Sequence, residues 1–206
     1  MHRKNLVTAG QPLEKASRAL IMLHGRGANA QDILSLASYL RTGQFALLAP
    51  EATNYTWYPF SFLAPPQQNE PWLSSALEII NGIVEETIQG GIKAENIFFA
   101  GFSQGACLTL EYTTRHARKW GGIVAFTGGL IGDQIYPANY TGNFAGTPVF
   151  IGSSDPDPHV PVDRVNATAL LLQEMGAAVT KKIYPGMGHT INEDEIKQAN
   201  LILERG

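Results

Sequence analysis

The chain has 206 residues, which is the usual length of one compact domain with a substantial buried core. Its hydrophobic share of 44% and charged share of 16% exclude a disordered chain. The formal net charge of −3 and the scattered basic residues argue against a surface that binds nucleic acid.

Membrane insertion and secretion are not predicted. No apolar run approaches the ~18 residues that cross a bilayer. The first twelve residues carry positive charge without a following apolar stretch, which is unlike a secretory signal. A single cysteine, Cys107, excludes an intramolecular disulfide. We therefore expect a cytoplasmic protein with no integral membrane segment and leave its oligomeric state open, with a homodimer as one option.

Short runs of continuous apolar residues predict strands that are covered on both faces. A further run mixes two lysines among apolar residues and predicts a strand toward a sheet edge. In chain order the buried runs are 19–23, 45–48, 97–100, 123–126 and 149–151, and the edge run is 178–184.

Helical periodicity fills the intervals between these runs. Apolar residues recur on one helical face after Pro71 and after Pro161, a helix is predicted from Gln104 to His116, and a last one follows residue 189. Alternating strands and helices predict an α/β fold: a single domain over residues 1–206, with a mostly parallel sheet and helices on both faces. In such sheets, reactive groups collect at the carboxyl ends of the strands.

The run GFSQG predicts a nucleophile. It joins the apolar strand at 97–100 to a helix, which is the strand–turn–helix setting of the G-x-S-x-G elbow, with Ser103 at the turn. Gly101 and Gly105 let the strand and the helix pass close together. Cys107 lies in the following helix and is expected to be packed. Ser103 is therefore the predicted nucleophile.

His189 is the predicted general base. In this architecture the base comes last in chain order, and His189 lies between the final strand and the last helix. Gly186 and Gly188 give its loop freedom to aim the ring at Ser103. Of the other histidines, His24 is expected to support its loop.

Two carboxylates follow the strand at 149–151, in GSSDPDPHVP. Asp155 and Asp157 both compete to orient the histidine, and we favour Asp157 because it opens the D-P-x-V-P run. The neighbouring His159 is predicted either to line the site or to be a solvated loop residue.

An oxyanion hole is predicted from two main-chain amides. In this fold they come from the loop after the first long apolar strand and from the residue after the nucleophile, which are Arg26 and Gln104.

A pocket wall is predicted between residues 51 and 72, where aromatic residues and prolines are frequent and no helix is expected. Trp57, Tyr58 and Phe60 are the candidate substrate contacts. Packing over the core is an equal alternative for these side chains.

Four segments together, LHGRGAN, AGFSQGA, DPHVP and PGMGHTI, resemble the phospholipase/carboxylesterase family of small bacterial carboxylesterases and acyl-protein thioesterases. The resemblance runs from about residue 19 to the end. It implies an α/β-hydrolase without a large cap domain, no metal and no cofactor. It also implies a triad of Ser103, Asp157 and His189, with Arg26 and Gln104 at the oxyanion hole.

This sequence departs from the family pattern in three places. Arg26 stands where the family usually has leucine, and its charge is expected to bias the entrance toward acidic substrates. The family's W-Y-D is Trp57-Tyr58-Pro59 here, without the acid. The aspartate loop carries the extra residues that leave two carboxylates in competition.

The sequence thus predicts a serine carboxylesterase that acts on a small ester. A lysophospholipase or an acyl-protein thioesterase would use the same residues and remains an alternative. An inactive binding protein of the same fold is the alternative from another class.

Overall fold

A seven-stranded sheet forms the centre of the computed structural model, which describes residues 1–205. Its strands lie in the order β1-β3-β2-β4-β5-β6-β7. Only β1 pairs antiparallel, with β3, and every other neighbouring pair is parallel. The strands are β1 Leu6–Gly10, β2 Arg18–Leu23, β3 Phe45–Pro50, β4 Ile97–Phe102, β5 Gly122–Phe126, β6 Pro148–Asp155 and β7 Ala178–Pro185.

Five α-helices cover the two faces of this sheet. Because successive side chains along a strand point to opposite faces, each buried strand contributes to two cores. Ile21 and Phe99 pack against helices α2, α3 and α4, whereas Leu20 and Phe98 pack with α1 and α5 on the other face. The helices are α1 Ala30–Ser35, α2 Trp72–Gln89, α3 Gln104–Arg115, α4 Val162–Glu174 and α5 Glu193–Leu203.

The predicted α/β architecture is confirmed, including the edge position of β7. The part of the chain that the structure describes carries no large cap over the sheet. Among residues 1–205, every helix is too short or too polar to cross a bilayer.

Strand β1 was not predicted. Its residues are half-buried or exposed, and it is held by antiparallel pairing from Leu6 opposite Pro50 to Gly10 opposite Ala46. Such an exposed edge strand has no continuous apolar run, so its sequence gives little signal.

Glu195 is a buried carboxyl at the start of α5. The residue is 0% exposed, and its Oε2 accepts a hydrogen bond from the Asn192 amide at 2.9 Å. Oε1 has no hydrogen-bond partner in the described chain. Burial, reinforced by the nearby Asp194 charge and opposed by the Asn192 amide, raises the pKa of Glu195 to about 7.

This raised pKa predicts a pH-dependent stability. Between pH ~4.5 and ~7 the folded protein keeps Glu195 protonated, whereas the unfolded chain has lost this proton. The contribution of Glu195 to the free energy of unfolding therefore falls as pH rises through that window. Glu195→Gln removes the dependence because the amide stays neutral. We expect the melting temperature of the variant minus that of the wild type to increase from pH 4 to pH 8 by roughly 6–13 °C. A difference that stays constant across this range in thermal scans would contradict the assignment.

Candidate active site

Ser103 occupies a sharp turn between β4 and α3. Its backbone has φ 54° and ψ −117°, which is strained for a residue with a side chain and costs about 1–3 kcal/mol. Two main-chain hydrogen bonds hold the turn: the Ser103 amide donates to the Phe126 carbonyl at 2.9 Å, and the Cys107 amide donates to the Ser103 carbonyl at 3.0 Å. The surrounding structure therefore fixes a conformation that presents the half-buried hydroxyl at the carboxyl end of the sheet.

Two glycines make this turn possible by close approach. A Cβ atom on Gly105 would lie 2.1 Å from the Leu23 carbonyl oxygen, and one on Gly101 would lie 2.4 Å from the Gly105 carbonyl oxygen. The first turn of α3 thus packs directly on the end of β2, with no room for a methyl group.

His189 and Asp157 extend from neighbouring loops toward this serine. The His189 Nε2 lies 2.8 Å from Ser103 Oγ, and the His189 Nδ1 lies 2.9 Å from Asp157 Oδ2. The ring of His189 also contacts the Phe102 ring, with centroids 5.2 Å apart. The imidazole therefore spans the gap between the hydroxyl and the carboxylate.

Asp157 is fully fixed in place. Its side chain is 0% exposed, and its Oδ1 accepts hydrogen bonds from the amides of His159 and Val160, both at 2.8 Å. Burial alone would raise the pKa of Asp157, but the hydrogen bonds from His189 and the two amides outweigh it and hold that pKa below its usual value. The carboxyl is thus a charged acceptor that can orient the imidazole. Asp155, the competing residue, is exposed at the end of β6.

The amides of Arg26 and Gln104 are the predicted oxyanion donors. Within residues 1–205, neither amide donates a hydrogen bond to a protein acceptor. Both residues, together with Ser103 and His189, line one open cavity of about 790 Å³.

The side chains of these two residues hold the cavity wall at residues 56–60. Gln104 accepts a hydrogen bond from the Trp57 amide at 3.0 Å and donates to the Tyr58 carbonyl at 2.9 Å. The Arg26 guanidinium donates to the Pro59 and Phe60 carbonyls at 2.9 and 2.7 Å. Sequence reasoning missed these bracing contacts, since a motif does not indicate where a side chain turns.

The candidate substrate contacts divide into two groups. Tyr58, Phe60 and His159 line the cavity, and the His159 ring lies edge-on to the His189 ring with centroids 4.9 Å apart. Trp57 is 0% exposed and is absent from the cavity lining; its indole N–H donates to the His24 carbonyl at 2.9 Å. Trp57 therefore supports the wall from behind and does not reach the space where a substrate would lie.

Two further titratable groups lie near the cavity: His24 makes structural hydrogen bonds, and Cys107 remains protonated. His24 is buried, its Nδ1–H donates to the Gly25 carbonyl, and its Nε2 accepts from the Ala52 amide. Burial lowers the pKa of His24, so the ring stays neutral in the loop. Cys107 is 1% exposed, and burial raises the pKa of its thiol to about 12, which leaves no thiolate to compete with Ser103.

The sheet, the strained turn at Ser103 and the loop that carries His189 are those of an α/β-hydrolase. It belongs to the phospholipase/carboxylesterase family, whose profile matches residues 5–205. A carboxylic ester hydrolase is therefore the class of enzyme to which the chain is assigned.

Individual relatives agree with this assignment. Acyl-protein thioesterase 1 of Kluyveromyces lactis is 28% identical over 213 aligned positions, covering 94% of this chain and 93% of the relative. A probable carboxylesterase of Arabidopsis thaliana, described as SOBER1-like, is 27% identical over 86% of this chain and 74% of its own length. The crystal structure of a phospholipase/carboxylesterase from Dyadobacter fermentans superposes with a TM-score of 0.97 at 55% identity and covers 98% of both chains.

The close approach at Gly105 predicts a large effect for one added methyl group. Gly105→Ala forces α3 away from β2, and we expect a melting temperature lower by roughly 4–10 °C from overpacking. Turnover of a p-nitrophenyl ester should fall as well, because the Gln104 amide moves with the helix.

Gly82→Ala is the matched control. Gly82 lies in α2, and a Cβ placed there meets nothing within 4 Å. The same substitution should therefore stabilise the helix by about 0.5–1 kcal/mol and leave turnover unchanged. Equal melting temperatures for the two variants would show that the packing at Gly105 is not limiting.

Proposed function

We propose that this protein is a serine carboxylesterase that hydrolyses small carboxylic esters through an acyl-enzyme intermediate. The observation that carries the proposal is the continuous hydrogen-bonded line from Ser103 Oγ through the His189 ring to Asp157. A hydroxyl is a poor nucleophile at neutral pH unless a positioned base removes its proton, and this line supplies that base.

The proposed reaction has two halves. His189 Nε2 takes the proton of Ser103 Oγ as the oxygen attacks the ester carbonyl, while Asp157 stabilises the imidazolium that forms. The carbonyl oxygen becomes negative and accepts hydrogen bonds from the amides of Arg26 and Gln104, each such donor typically contributing ~3 kcal/mol to the transition state. The alcohol leaves with the proton, and a water molecule then repeats the sequence on the acyl-serine.

The proposed substrate is small because the described part of the chain has no large cap that would enclose a long acyl chain over the open cavity. Tyr58 and Phe60 on one side, and Val160 on the other, are the proposed contacts for the acyl or alcohol part. The Tyr58 hydroxyl is a polar exception, since it meets no partner with hydrogen-bond geometry in the chain as described and lies beside the Cys107 thiol. The ring of His159 at the rim is the proposed polar contact near the leaving group.

The Arg26 side chain makes acidic substrates a further part of this proposal. Its guanidinium is exposed and bonds neutral acceptors in the wall, and no carboxylate of residues 1–205 forms an ion pair with it. An unpaired cation at the entrance favours an ester that carries negative charge.

Thioester hydrolysis is the second candidate, favoured by the similarity to acyl-protein thioesterase 1 of Kluyveromyces lactis. The same nucleophile, base and amides would serve an acyl thioester. Turnover of p-nitrophenyl acetate, longer acyl esters and an acyl-CoA separates the candidates, and we expect the short ester to give the highest kcat/KM.

Labelling by a fluorophosphonate probe tests the nucleophile directly. We expect the wild type to be labelled and Ser103→Ala to be unlabelled, with ester turnover reduced by about 10⁴-fold or more. Absence of wild-type labelling, or equal labelling of both proteins, would sink the esterase proposal and leave a hydrolase-fold binding protein as the better description.

A pair of aspartate variants tests the orienting carboxylate. Asp157→Asn should lower kcat by about 10³–10⁴-fold, because the neutral amide neither fixes the productive imidazole tautomer nor stabilises imidazolium. Asp155→Asn removes an exposed carboxylate two residues earlier, at the end of β6, and should stay within about twofold of wild type. The reverse ranking in steady-state assays would reassign the role to Asp155.

A further inference from the structure

The loops that carry Asp157 and His189 leave the sheet side by side. Strands β6 and β7 pair in parallel to their last residues, with Ser154 opposite Tyr184 and Asp155 opposite Pro185. Each loop then reaches its functional residue within four positions of the strand end. The distance between the carboxylate and the imidazole therefore depends on how these two short loops are held relative to each other.

Three hydrogen bonds join the loops. The Gly186 amide donates to the Asp155 carbonyl at 3.0 Å, the Gly188 amide donates to Ser154 Oγ at 2.9 Å, and the third is the His189–Asp157 contact. The first uses main-chain atoms alone, and the third is part of the proposed chemistry. Only the second depends on a side chain outside that chemistry.

The Ser154 hydroxyl contacts the residue that precedes each functional side chain. It accepts from Gly188, which precedes His189, and it donates to the Pro156 carbonyl at 3.1 Å, which precedes Asp157. The Tyr184 carbonyl, at 3.4 Å, is a longer alternative acceptor for the same proton. Ser154 is 0% exposed, so no water competes for these contacts.

We propose that Ser154 is a positioning residue, whose buried hydroxyl sets the register between the aspartate loop and the histidine loop. This inference rests on the proposed esterase function. Loss of the hydroxyl leaves the Gly188 amide without its acceptor and frees the histidine loop to move away from the aspartate loop. Because small displacements of a catalytic base are costly to the rate, turnover should suffer more than substrate binding.

Ser153 provides a matched control in the adjacent position of the same strand. Its side chain is also 0% exposed, but its hydroxyl has no hydrogen-bond partner among residues 1–205. Ser153→Ala and Ser154→Ala thus each delete one buried hydroxyl from neighbouring positions on opposite faces of β6, and only the Ser154 hydroxyl is hydrogen-bonded within the described chain.

The test compares both variants with the wild type on p-nitrophenyl acetate and a fluorophosphonate. For Ser154→Ala we expect kcat and the rate of Ser103 labelling to fall by about 10-fold or more, with KM within about twofold. Hydrogen exchange of the Gly188 amide, followed by NMR, should speed up in this variant and stay unchanged in Ser153→Ala. Ser153→Ala should keep wild-type turnover.

The possible results separate the positioning role of Ser154 from the proposed esterase function. Wild-type kcat in a folded Ser154→Ala would overturn the positioning role while leaving the esterase proposal intact. A wild type that neither turns over the ester nor reacts with the probe would defeat the esterase proposal itself. If Ser154→Ala does not fold, Ser154→Cys replaces it. The thiol fills the site but is a weak hydrogen-bond acceptor, so we expect a kcat below that of the wild type and above that of Ser103→Ala. An unchanged kcat in Ser154→Cys would overturn the positioning role.

Discussion

The turn at Ser103 is the constraint on which the site depends. A non-glycine residue with positive φ is held there because its amide and carbonyl are both bonded, to Phe126 and Cys107, and because Gly105 lets α3 rest on the end of β2. The same contact brings Gln104, at the start of α3, and Arg26, in the loop after β2, to the same cavity. The packing of this helix on this strand thus sets the position of Ser103 and of the two residues whose amides are proposed as oxyanion donors.

The opposite half of the site is organised differently. Asp157 and His189 lie on loops, and their geometry comes from parallel pairing of β6 with β7 and from hydrogen bonds between the loops. Asp157 is anchored further by two amides of its own loop, which also keep its pKa low despite burial. The imidazole therefore has a fixed, charged partner on one side and a fixed hydroxyl on the other, so the proposed reaction would need little reorganisation around the ring.

Much of this architecture could be predicted because the signals are local. Continuous apolar runs marked five buried strands, and the glycine spacing around Ser103 marked the turn, since close backbone approach admits no other residue. Features that depend on side-chain direction could not be predicted: the sequence left Trp57 open between substrate contact and packing over the core, and the structure turns it inward to the His24 carbonyl. Strand β1 was missed because its stability comes from pairing with a distant strand and little from burial of its own residues.

Arg26 and Gln104 each have a side chain that holds the cavity wall and an amide that is proposed as an oxyanion donor. This pairing of roles limits how the enzyme can acquire new substrates. Their side chains hold the segment at 56–60 and both residues line the cavity, so we expect a replacement in that segment to shift the amides that are proposed as oxyanion donors. Substitutions in the segment at 56–60 are therefore expected to change substrate selectivity and catalytic rate together. Phe62 and Leu63 line the same cavity without bonding either residue, which makes them the better starting points for reshaping the pocket at constant catalytic power.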